Sequence, residues 1–138
     1  MTMDFEAARA AICGRLNTGY GAAYSSEPIE YENRKKVDRS AQVTPFLGIE
    51  IHYADGEMVG IGADVPRRYH GAAYLVVYTK AGAGAAIGTV RLSYLDTLFA
   101  AKQFGGVNTL APKPLPMPDL DGWHRHCLRI PFYFDTTP

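Results

Sequence analysis

Apolar and polar positions change their period several times along the chain. From Asp4 to Asn17, Phe5, Ala8, Ile12 and Leu16 recur at spacings that place them on one side of a helix. Asp4 suits the N-cap, because its carboxylate can accept a free backbone N–H at the positive helix end. Gly19 and Gly21 predict where the helix stops. A polar, extended stretch follows from Ser25 to Asn33. Arg34, Lys35, Lys36 and Arg39, with Asp38 among them, then read as a solvated loop. From Phe46 to Tyr53 the period becomes two: Ile49, Ile51 and Tyr53 alternate with Glu50 and His52, the pattern of a strand with one dry face. Asp55-Gly56 predicts a tight turn. Glu57 to Arg68 is glycine-rich and reads as a short hairpin arm or a loop.

The clearest strand runs from Tyr69 to Thr79. Tyr74, Val76 and Tyr78 share one face, and Leu75 and Val77 the other. Apolar groups on both faces predict a central strand, or one whose outer face meets another subunit. A glycine-rich turn, Lys80 to Gly84, leads into a second helix from about Ala85 to Lys102. That helix carries two apolar stripes. Ile87, Val90, Tyr94 and Leu98 form the first, which is expected to pack on the sheet. Leu92, Leu95 and Phe99 form the second, either the flank of a broad core face or a contact for another chain. Val107 to Leu110 reads as a short strand. Pro112, Pro114, Pro116 and Pro118 alternate after it, so that segment must be extended, with Leu115 and Met117 as apolar anchors between prolines. Leu128, Ile130, Phe132 and Phe134 mark a closing strand from Trp123 to Phe134.

Helix, strands, helix, strands, joined by short turns, predict an α+β fold: a curved antiparallel or mixed β-sheet with two α-helices packed on one face. The 138 residues fit one domain. Basic and acidic residues balance at 14 each, which weighs against a phosphate-gripping, sequence-specific nucleic-acid partner. No apolar run approaches membrane-spanning length. The first residues, with Asp4, Glu6 and Arg9, do not suit a secretory signal, so a cytoplasmic protein is expected. Cys13 and Cys127 are then expected to be reduced.

Candidate chemistry is sparse. His124, His126 and Cys127 cluster in sequence, but in a strand the two histidines point to one side and Cys127 to the other. A zinc site would need a further ligand, such as His52. Gly82, Gly84 and Gly88 match neither phosphate-binding spacing, and no serine sits in a Gly-x-Ser-x-Gly turn. No catalytic residue, cofactor or metal site is expected.

Four segments carry a resemblance over nearly the whole chain: "FEAARAAICGRL"; "YSSEPIEYEN" with "PFLGIEIHY"; "HGAAYLVVYTKAGAG" running into "AIGTVRLSYLDTLF"; and "GWHRHCLRIPFYFD". In their order and kind they resemble the phage tail-terminator-like family, the tail completion proteins of long-tailed bacteriophages. The resemblance implies a hexameric ring that caps the tail tube, ends its polymerisation and offers a surface for the head. Its implied partners are further copies of the chain, the tail tube protein and a head-completion or neck protein. DNA would pass through the lumen. The implied location is the head-proximal end of the virion tail, with assembly in the host cytoplasm. Arg34, Lys35, Lys36, Arg39, Leu92, Leu95, Phe99, Leu115 and Met117 are the candidate assembly residues. The alternatives are another neck or head-completion protein, a phage-derived particle, or a small enzyme or metal-binding domain built on His124 and His126.

Overall fold

The computed structural model describes residues 3–62 and 64–136. Helix α1 spans Phe5–Leu16 and helix α2 Ala86–Phe99. The strands are β1 (Ile29–Glu30), β2 (Phe46–Met58), β3 (Arg67–Lys80), β4 (Gln103–Phe104), β5 (Val107–Thr109), β6 (Lys113–Pro116) and β7 (Trp123–Thr136). They form an open, curved, seven-stranded mixed sheet in the order β1-β2-β3-β7-β5-β4, with β6 also on β7. Among the described residues only β1 and β2 pair in parallel. Both helices cover one face, as the α+β reading requires.

The core lies between the layers. Leu47, Ile49 and Ile51 of β2, Ala73, Leu75 and Val77 of β3, and Leu128, Ile130, Phe132 and Phe134 of β7 all point into it. Helix α1 contributes Ala8, Ile12 and Leu16, as its period predicts. Asp4 caps it by accepting the Ala7 N–H at 2.7 Å. Phe5 stays half open, its ring edge-on to Tyr53 and Phe134.

Three local expectations are corrected. The glycines after α1 do not end the helical path. Asn17–Gly21 continues it as one wide π-type turn, which buries Tyr20. Gly19 is needed there because a Cβ would lie 2.6 Å from Leu98, while Tyr94 donates its hydroxyl to the Gly19 carbonyl. Asp55-Gly56 is not the hairpin turn. β2 runs on to Met58, and its register with β3 shifts between Tyr53 and Gly56. Gly56 lies under the Tyr69 ring, where a Cβ would come within 2.4 Å. The turn proper falls between Met58 and Arg67.

Helix α2 is also rotated from expectation. Its buried line is Gly88, Leu95 and Phe99. Ile87 and Val90 face outward, and Tyr94 and Leu98 flank the core half-buried. Gly88 explains the rotation: with no side chain it lets the first turns of α2 descend onto β7. Leu95 and Phe99 are therefore core residues and are not available to another chain. Leu92 is half-buried against them.

Candidate assembly surfaces

The β2–β3 hairpin is the most exposed part of the sheet. From His52 onward every residue of β2 lies open to solvent. At its end Met58, Val59 and Ile61 are exposed, Ile61 completely. Val59 donates to the Pro66 carbonyl and so closes the base of the turn. Three exposed apolar side chains so close in sequence make this turn a candidate contact surface. The sequence signal for them was masked by the glycines around them, which read equally well as a loop.

The basic segment divides in two. Arg34, Lys35 and Lys36 are exposed. Arg39 is not free. Its guanidinium holds both oxygens of Glu30, at 2.8 and 3.0 Å, and lies over the rings of Phe46 and Tyr78. The Trp123 indole donates to the Arg39 carbonyl. Residues 31–45 are thereby tied down on the sheet face that the helices leave open. Arg39 is structural, which corrects its place among the assembly residues.

That open face is rich in aromatic and charged groups. One row across the strands reads Glu50, Tyr74, Arg129, Lys113, and another Phe46, Tyr78, Arg125. Glu50, Tyr74, Tyr78 and Arg125 of these rows, with Lys36 and Met117, line a groove of about 430 Å³. At the hairpin end Arg68 pairs with Asp135 at 2.8 Å and covers Tyr133. The hydrogen bond from Arg68 holds the Asp135 carboxyl below the usual carboxylate range.

The proline segment is an edge strand of the chain's own sheet. Lys113, Pro114, Leu115 and Pro116 face Arg129, Leu128, Cys127 and His126 across the ladder. Leu115 and Met117 are each half-buried. The arm thus packs first on its own domain.

The histidines separate. His52 lies on the open face, whereas His124 and His126 lie on the helix side, so His52 cannot complete a ligand set with them. His124 Nδ1 meets Asp119 at 2.6 Å, and its ring stands edge-on to His126 at 4.5 Å. Among the described residues no group of three or more His, Cys, Asp or Glu is placed to hold a metal. Both cysteines are free, and burial raises both thiols. Among the described residues no helix is long and apolar enough to cross a membrane.

No family model matches the chain, and no curated protein does. One solved structure, which carries no functional name, is similar from end to end. It is 21% identical, covers 99% of this chain and 97% of its own, and superposes with a TM-score of 0.67. At that identity the likeness shows the fold alone.

Proposed function

We propose that this chain is a tail-terminator-like structural protein, whose copies form a ring on the head-proximal end of a phage tail tube. The observation that carries the reading is the apolar turn of the β2–β3 hairpin: Met58 and Val59 are about half exposed and Ile61 fully so. A second copy would cover these side chains, and a head-to-tail contact repeated around an axis closes a ring. The segments that resemble the family support it further, since they coincide with α1, β2, β3, α2 and β7. The ring ends tube growth by occupying the last tube subunits and presents its other side to a head-completion protein. Arg34, Lys35 and Lys36 give it an exposed basic edge suited to an acidic neighbour.

The test is polymerisation of the partner tail tube protein with and without this chain, followed by electron microscopy. Capped tubes of limited length, with a ring at one end, are expected. The variant Met58→Asp/Ile61→Asp should keep its fold and fail to cap. Tubes of unrestricted length with the wild-type chain present would overturn the proposal.

A further inference from the structure

Helix α2 begins without a side-chain cap: Ala85 stands at its N-cap and offers no acceptor. Its first turns rest on an imidazole. A Cβ at Gly88 would lie 2.1 Å from the His126 ring, so glycine is the residue that lets helix and ring touch. His126 Nε2 is sealed from solvent and has no hydrogen-bond partner. A neutral ring tolerates this position better than an imidazolium, whose second N–H would also need an acceptor.

The surroundings offer none. From β7 comes His124, whose own partner is Asp119. From β3 come Val77, opposite His126, and Thr79, whose buried hydroxyl is also without a partner. From β6 come Pro114 and Pro116, neither of them titratable. From α2 come Gly88 and Leu92, while Arg91 turns away to Glu27. Lys80, Arg125 and Cys127 belong to the opposite sheet face. The positive end of α2 itself disfavours a second positive charge below it. Burial, and then the neighbouring His124, accordingly hold the His126 pKa below the ordinary imidazole value.

We propose that His126 is a proton-operated latch for helix α2, closed when the ring is neutral and released when it is charged. Release lifts the first turns of α2, and with them Ile87 and Val90, the exposed apolar pair on those turns. The direction follows from linkage. A histidine with a depressed folded-state pKa leaves the docked helix fully stable above the unfolded value of about 6.5, and stability falls as the pH drops through and below it.

Amide hydrogen exchange of residues 89–92, compared at about pH 7.5 and about pH 5.5, tests the latch in the intact chain. In the wild type the protection factor should fall by up to about tenfold, the limit set by a window that reaches about one pH unit below the free-imidazole value. His126→Gln should abolish the fall, and His124→Gln should retain it. Constant protection in the wild type, or an undiminished fall in His126→Gln, would overturn the proposal. If His126→Gln does not fold, titration of the wild-type His126 ring by NMR decides. A midpoint clearly below about 6.5 supports the latch, and one at or above it refutes the latch.

Discussion

The Arg39 guanidinium grips both carboxylate oxygens of Glu30, and through that grip an otherwise irregular segment is fixed to the open face of the sheet. Val37 adds its N–H to the same carboxylate at 2.6 Å. Glu30 is nearly buried, at 9% side-chain exposure against 24% for Arg39. Arg39→Ala should therefore destabilise the fold by about 2 kcal/mol. That lies below the range for a fully buried pair, because water screens part of the guanidinium and Val37 remains bonded. Urea unfolding checks it, and a loss under about 0.5 kcal/mol would show that the segment is held by other contacts.

The neighbouring cations behave oppositely. Reversing Arg34, Lys35 and Lys36 to Glu should change stability by less than about 0.5 kcal/mol, since all three are exposed. Capping of tail tubes should slow, and the wild-type rate should itself fall with added salt. Normal capping kinetics in the triple variant would remove this edge from the assembly surface.

Gly88→Ala sets two effects against each other. Alanine gains up to about 1 kcal/mol of helix propensity, but overpacking against His126 costs about 1–3 kcal/mol. A net loss is expected because the ring is sealed in place. The second change His126→Ala should turn the Gly88→Ala effect favourable, which a double-mutant cycle measures.

The rotation of α2 can be read from a pair of truncations. Ile130→Ala removes a buried aliphatic group and should cost about 2–5 kcal/mol. Val90→Ala, on the outer side of α2, should stay within about 0.5 kcal/mol. Comparable losses at both positions would mean that the first apolar stripe does face the sheet.

The layers of the fold were legible because burial imposes a period. Ala8, Ile12 and Leu16, like Leu128, Ile130, Phe132 and Phe134, follow theirs without interruption. The orientation of α2 was not legible. Its closest contact is made by Gly88, a residue that adds nothing to an apolar stripe. Asp55-Gly56 misled for a related reason: the local turn preference yields to strand pairing, with Gly56 accommodating Tyr69. The role of Arg39 was hidden because its partner Glu30 sits on a two-residue parallel strand. Of the candidate assembly residues, Arg34, Lys35 and Lys36 remain on the surface and Leu95 and Phe99 belong to the interior; the glycine-rich stretch near Gly56 reads from sequence as an assembly loop, and the structure adds that it carries the exposed side chains of Met58, Val59 and Ile61.

Strand β6 has a consequence for solubility. Alternate residues of an edge strand turn their N–H groups away from the sheet, and proline is tolerated where that group is absent. With Pro114 and Pro116 on this edge, the ladder beyond β6 lacks the donors that a further strand would need. Amyloid-like stacking is thereby hindered along the β6 stretch of the edge. That edge gains protection against open-ended fibres, while its side chains remain free to make contacts of their own.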